Sequence, residues 1–406
     1  MVTGSLARLG AGTFVSAVGN GAWYTSWALF LTRSVGLTPA QVGLGMTVAG
    51  GVGLLSAAPL GRLADRVGAR EVYAALLLLQ GAVALAYLTV GSAAAFVAVA
   101  CAGEAARAGG GARNALVLGL CERAEDRLAA LGALRSISHV GWAVGAAAGA
   151  VVIGVDSRPA YVALLVLNAA SYVVYALLVR SVPRVATPPQ RRGLRVVRDA
   201  PYVTLAALMG VLALCWAMMS SGLPLWVALH TGAPRSVSAV IVVLNSLAIA
   251  LLQVRVSRAM AAPAVAARGA LLSGALLAAS CLLFAITAGG AGPLVIAVLV
   301  AAGIVHTAGE LVFVAASWGL SVPLMPQDAP GEYQGVFAAG EAAALMVAPA
   351  LMTTVVAGWG QPGWLALAAI FLVPAASAVP VTRWALRSRG TRSASGRAAW
   401  ASGRPT

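Results

Sequence analysis

Two uncharged stretches, residues 42–60 and 72–100, flank a turn that holds three arginines and one aspartate within the nine positions 62–70. Each stretch is long enough to supply the roughly 20 apolar residues with which an α-helix crosses a bilayer. An α-helix satisfies its own backbone N–H and C=O groups without water, so such stretches are read as membrane helices. The charged turn must then lie in water or among lipid headgroups. Gly61 and Gly68 bracket its charges, where a helix end and a tight turn are expected.

The same alternation runs through all 406 residues. Hydrophobic residues make up 60% and charged residues 10%, against about 25% charged in soluble domains. The expected fold is an all-α polytopic membrane protein with 12 transmembrane helices in two six-helix bundles. Twelve spans would use about 240 residues. The first apolar run starts near Leu6 without the short core and small-residue cleavage site of a secretory signal, and is expected to be the first span.

The net charge of +15 is carried by arginine, with no lysine. The arginines fall in alternate loops and near the C-terminus, which is a topology signal and not a nucleic-acid surface. Both termini are expected in the cytoplasm, with the chain in a bacterial-type plasma (inner) membrane. Cys101, Cys121, Cys215 and Cys281 lie in or beside apolar runs without close pairing, as helix-packing residues do. No disulfide, metal site or cofactor is expected.

Residues 1–180 read as an N-terminal six-helix bundle. Residues 181–200 read as a cytoplasmic linker, since six arginines and three prolines (Pro183, Pro188, Pro189) fall between Arg180 and Asp199. Residues 201–384 form the second bundle, and 385–406, rich in Arg, Ser and Gly, a disordered cytoplasmic tail. The halves repeat weakly. Pro39-Ala40-Gln41-Val42 opens span 2 and Pro234-Arg235-Ser236-Val237 opens span 8; Pro39 to Arg62 is 23 residues, Pro234 to Arg258 is 24. The second copy keeps Arg255 and Arg258 and lacks the aspartate.

Polar residues inside the spans mark candidate sites. In span 1, Asn20, Trp23, Tyr24 and Trp27 share one helical face, which either lines a substrate cavity or packs on a neighbour through a buried Asn hydrogen bond. Span 4, residues 94–118, holds Glu104, Arg107 and Arg113. An unpaired ion at mid-membrane costs at least about 2.5 kcal/mol, so Glu104 and Arg107, at i and i+3, are either a proton-sensitive acid beside an anchoring arginine or a structural pair. His139 in span 5 either carries a proton or bonds a neighbouring helix. Gly141, Gly145 and Gly149 form a small-residue ladder there. Trp216 in span 7 and Asn245 in span 8 are further cavity candidates. Span 10, residues 294–320, carries His306 and Glu310 at i and i+4, a protonatable pair; zinc would need a second histidine and a third ligand. Glu341 lies about two turns into span 11 and aligns opposite Ser138, beside His139. The acids of the loop 122–127, namely Glu122, Glu125 and Asp126, are the expected partners of Arg66 and Arg70.

Gly61-Arg62-Leu63-Ala64-Asp65-Arg66-Val67-Gly68-Ala69-Arg70 resembles the loop between the second and third helices of the major facilitator superfamily. Ala69 departs from the basic residue often found there. The ladder in span 5 resembles the superfamily's antiporter motif, with Ala146 where a proline is usual. Arg107-Ala108-Gly109-Gly110-Gly111 loosely resembles the arginine–glycine motif of its proton-coupled exporters, and Tyr333-Gln334-Gly335 a helix start common among bacterial exporters. The resemblance, nearest to 12-helix drug:proton antiporter-like exporters, implies two rocking bundles around a central cavity. It makes Gly61, Asp65, Arg66, Gly68 and Arg70 a conformational latch, with Asp65 facing the N-terminus of span 11. The implied function is proton-coupled antiport exporting a moderately hydrophobic small organic compound, with a small-molecule substrate, protons and the lipid bilayer as partners and a single chain as the working unit. Facilitated or symported import of a small metabolite is the alternative. A membrane enzyme would need a nucleophile–base pair or metal triad that the sequence does not show, and a sensor would move no solute.

Overall fold

A computed structural model describes residues 2–185 and 196–401, all helix and connecting turn with no strand. The first half contains α1 (Val2–Leu29), α2 (Pro39–Val67), α3 (Ala69–Ala86), α4 (Ala93–Arg107), α5 (Gly110–Gly119), α6 (Ala124–Val155) and α7 (Arg158–Arg180). The second contains α8 (Ala200–Leu212), α9 (Leu214–Ala217), α10 (Leu223–His230), α11 (Ser236–Ala259), α12 (Pro263–Ala285), α13 (Pro293–Leu324), α14 (Pro330–Leu351) and α15 (Gln361–Ala401). Among the described residues, ten helical stretches are long and apolar enough to cross a membrane. Leu55, Leu167 and Leu251 are 76%, 71% and 69% exposed, a surface suited to lipid and not to water.

Local chemistry sets the helix ends. Thr38 and Gln41 make a reciprocal capping box at the start of α2, with Thr38 N–H donating to Gln41 Oε1 at 2.9 Å. Gly68, at φ +119°, lets the chain leave α2 and start α3 without a linker. The fourth stretch, expected to be one helix, is broken after Arg107, where three consecutive glycines weaken it. The seventh is also broken: Pro224 lacks an N–H, and the preceding turn, Met218–Gly222, widens into a π-helix. The last helix continues to Ala401, through most of the stretch expected to be a disordered tail. Residues 186–195 of the linker and 402–406 of the tail lie outside the described residues.

Buried apolar side chains gather in separate clusters on the two sides of the linker. One is built almost wholly from 196–385; two others come from the first half, apart from Val322. In the first half α1 packs on α6 and α7, α3 on α7 and α2 on α4; in the second, α12 packs on α13 and α15, and α8 on α14 and α15. The halves meet along two seams, α2 and α5 against α14, and α6 against α11 and α13. The ladder of Gly141, Gly145 and Gly149 faces α1 within its own half: a Cβ at Gly149 would stand 2.6 Å from the Ala22 carbonyl. It serves close helix packing.

Candidate functional site

At the arginine-rich end of the molecule, Asp65 is buried and accepts hydrogen bonds from the backbone N–H groups of Gly331, at 2.6 Å, and Glu332, at 2.7 Å. These are first-turn donors of α14, left without helical partners and at its positive end. The contact needs backbones nearly touching. Gly61 lies against the Gly331 carbonyl, and a Cβ at Gly335 would come within 2.6 Å of the Ala57 carbonyl. Asn114 of α5 adds a hydrogen bond to Gln334 at 3.3 Å. Arg70 has a different partner from the one expected. It pairs with its neighbour Glu71 at 2.7 Å and donates to the Val182 carbonyl at 2.9 Å, while Arg184 joins Glu71 at 2.8 Å. An acid one residue away, on a helix start beside the end of α7, outcompetes the acids of the next loop. Arg66 is exposed.

Deeper in, the halves are joined by a buried ion pair. Arg135 of α6 holds Glu310 of α13 at 2.6 Å, with side chains 17% and 3% exposed. Asn245 of α11 donates to the other Glu310 oxygen at 2.8 Å and to Thr307 at 3.2 Å. His306, fully buried, approaches that oxygen to 3.9 Å, with no hydrogen bond at either ring nitrogen. The Arg135 guanidinium also lies 5.4 Å from the Trp216 ring centre, within cation–π range. Glu310, His306, Asn245 and Trp216 are candidates from the sequence, and Arg135 is not among them. Its signal was present: Arg135 is the one acidic or basic side chain, histidine apart, in 128–155.

Next to this pair is a cavity of about 250 Å³, walled by both halves. The first half supplies Arg113, Arg135, Ser138 and His139; the second supplies Trp216, Trp318, Gln334, Phe337 and Glu341. Gln334 belongs to the Tyr333-Gln334-Gly335 motif, while Trp318 carried no sequence signal apart from position. Another hollow, of about 160 Å³ between α11 and α13, is lined by exposed aliphatic groups such as Leu244 and Ile304 and would meet lipid.

The remaining candidates lie elsewhere. Glu104 and Arg107 pair along their helix at 3.4 Å. Asn20 accepts a short hydrogen bond from Tyr172. Trp23 packs against Phe30 and Tyr87, Tyr24 against Trp142, and Trp27 against an apolar cluster of the first half. The aromatic face of span 1 thus contacts its own half, with Tyr24 exposed, and does not line the cavity with Glu341.

The family model of the Major Facilitator Superfamily matches residues 9–349. The chain belongs to that superfamily. It is a transporter and not an enzyme. Solved structures agree at the level of fold. A bacterial homologue of the iron transporter ferroportin, in an outward-facing state, superposes with a TM-score of 0.75 at 14% identity, covering 94% of this chain and 99% of its own. The human organic anion transporter TETRAN gives 0.70 at 15%, covering 92% and 98%. The E. coli fucose:proton symporter gives 0.66 at 17%, covering 94% and 98%. A comparison with curated protein sequences finds no match.

Proposed function

We propose that this facilitator-superfamily transporter is a proton-coupled secondary active transporter working by alternating access. Its twelve crossings are the ten qualifying stretches, α1, and α4 with α5 as one interrupted span, arranged as two six-helix bundles. The arginine-rich end and both termini face the cytoplasm of a bacterial-type plasma membrane. One chain suffices, because the cavity lies between its own halves. The Asp65 contact with α14, with Gly61 and Gly68 shaping its approach and Arg66 and Arg70 beside it, is the cytoplasmic latch, closed in this conformation.

The observation that carries this reading is Glu341. Its carboxyl stands at the cavity wall, about 16 Å along the span from Pro330 at 1.5 Å per residue. Among the described residues it makes no hydrogen bond or ion pair. A lone acid in a desolvated cavity gains and loses a proton as its surroundings change, and that gain or loss biases two states that expose it to opposite sides. Glu310, held by Arg135 and Asn245, and Glu104, held by Arg107, lack this freedom. His139 stands on the same wall, one helical turn from Arg135.

Exchange, with a moderately hydrophobic compound leaving as a proton enters, requires cargo and proton to contest Glu341. This is the direction of coupling implied by the exporter-like motifs. Co-transport is the second reading, favoured by Arg113, a cavity arginine with no carboxylate partner. The test is flux in proteoliposomes under an imposed pH gradient, wild type beside Glu341→Gln. Uphill movement that collapses with the gradient, and a variant that keeps downhill flux while losing uphill flux, are expected. Gradient-independent flux in both would overturn proton coupling.

A further inference from the structure

The wall of the cavity has an unequal charge inventory. Among the described residues, Arg113 and Arg135 are its guanidinium groups and Glu341 its only carboxylate. Arg135 is neutralised from behind by Glu310 at 2.6 Å. Arg113 makes no hydrogen bond or ion pair among the described residues, and Glu341 is not within ion-pair distance of it. With a proton on Glu341 the cavity therefore carries one uncompensated positive charge; with Glu341 ionised it carries none. Trp216, Trp318 and Phe337 supply flat apolar wall, and the indole N–H of Trp216 is buried without a partner.

We infer that the cargo is a small organic anion, with a carboxylate or sulfonate group received by Arg113, an apolar body against Trp216 and Trp318, and a proton on Glu341 bound in the same step. A guanidinium presents a planar fork of donors that fits such two-oxygen groups. A cation entering the same space while Glu341 holds its proton meets Arg113 with nothing to offset it. The volume is at or below the lower end of the roughly 300–1,000 Å³ usual for small-molecule sites, so the cargo is compact.

The linkage to protons rests on the proposed role of Glu341 and takes the co-transport reading of it, with anion and proton carried together. The charged and titratable groups facing that carboxyl are Arg113 from α5, Arg135 and His139 from α6, Glu310 from α13 behind Arg135, and Cys215 from α9. The titratable groups that α2 and α8 bring against α14, Asp65 and Tyr202, reach only its first turns, at Gly331, Glu332, Tyr333 and Phe337.

The test is calorimetric binding to the purified full chain of three probes with one ring system: naphthalene-2-sulfonate, its neutral sulfonamide, and a naphthylmethylammonium. The sulfonate stays ionised throughout, so any pH dependence belongs to the protein. At about pH 5.5 it is expected to bind at least about tenfold more tightly than the other two, the worth of one charge-assisted contact. The advantage shrinks at about pH 8, where Glu341 has given up its proton. Arg113→Gln abolishes the sulfonate's advantage and leaves sulfonamide binding unchanged. Arg113→Lys, which keeps the charge and guards against a folding artefact, retains part of it. Glu341→Gln binds the sulfonate equally at both pH values. Equal or tighter binding of the ammonium probe, or an Arg113→Gln variant that binds sulfonate like wild type, overturns the anion assignment even where uphill transport tracks the pH gradient. A sulfonate preference that is the same at both pH values overturns the shared proton and leaves the anion site standing.

Discussion

Glu104–Arg107 and Arg135–Glu310 are both acid–arginine pairs inside the spans of this protein, and they differ in almost every physical respect. Glu104 and Arg107 sit one turn apart on α4, at 3.4 Å, with side chains 23% and 55% exposed. Arg135 and Glu310 come from helices 175 residues apart, meet at 2.6 Å and are 17% and 3% exposed. The first pair rides on one rigid element, so relative motion of the halves leaves it unchanged. The second crosses between the halves, so any rocking must carry it along as a pivot or break it. A motif of charges on one helix is easy to see in sequence and is mechanically silent. A pair assembled from distant helices is the mechanically informative one, and only its Glu310 half is a candidate from the sequence.

The sharpest way to break this comparison is to neutralise one acid of each pair. Glu310→Gln leaves Arg135 buried without a counter-charge. Removing one partner of a buried pair costs about 3–5 kcal/mol, which corresponds to a loss of at least about a hundredfold in an equilibrium. Transport is expected to fall by that order, with a lowered melting temperature in detergent. The double variant Arg135→Gln with Glu310→Gln removes the orphaned charge and should recover melting temperature without recovering transport. Glu104→Gln leaves Arg107 with its head half exposed, and flux should change by less than about threefold. Comparable losses from Glu104→Gln and Glu310→Gln would end the distinction.

The Asp65 seam sharpens it from another direction, with a smaller effect. Asp65→Asn keeps the size of the side chain but replaces one acceptor oxygen with a donor that faces a backbone N–H of α14. Hydrogen bonds to a charged group are worth about 1.5–3 kcal/mol, so the closed state loses roughly tenfold in population or more. The readout is labelling of a Ser321→Cys site in the cavity wall by an impermeant thiol reagent from the cytoplasmic side. The background has Cys101, Cys121, Cys215 and Cys281 replaced. Labelling about tenfold faster than with Asp65 intact is expected; an unchanged rate would remove the seam from the gating scheme.

Sequence pattern revealed what depends on one helix at a time. The apolar runs, the charged turn at 61–70, the glycine ladder and the isolated acids Glu310 and Glu341 each stand out against a lipid-compatible background. The face of Asn20, Trp23, Tyr24 and Trp27 was equally visible, yet helical spacing says only that these groups share a side, not which neighbour that side meets. It meets Tyr87, Trp142 and Tyr172, in its own half. Arg70 shows the same limit at shorter range: the charges available to it were legible, while the proximity of Glu71 and the Val182 carbonyl depends on where α3 starts relative to the end of α7. The breaks after Arg107 and before Pro224 had local causes, a glycine run and a missing N–H, and could have been drawn from the sequence.

The smallest effect is expected at the opposite end of the molecule, where another acid–arginine pair serves as a control for these two. Asp156 ends α6 in a left-handed conformation, at φ +41°. It accepts from the Tyr161 hydroxyl at 2.9 Å and pairs with Arg33 at 2.6 Å. The Tyr161 hydrogen bond and then Arg33 hold its carboxyl below the usual range. A depressed acid contributes stability that is present above its unfolded value near 3.8 and lost as pH falls through the lower folded one. The contribution is constant at neutral pH and fades only in strong acid. Asp156→Asn keeps a residue type that tolerates the left-handed conformation and removes the charge from an exposed pair. Flux near neutral pH should change by less than about twofold, the acid limb of a melting-temperature profile should flatten slightly, and Arg33→Gln should do the same. A large loss of transport from either variant would mean that the outer clasp, confined to one half, senses the rocking that the Arg135–Glu310 pair was assigned to report.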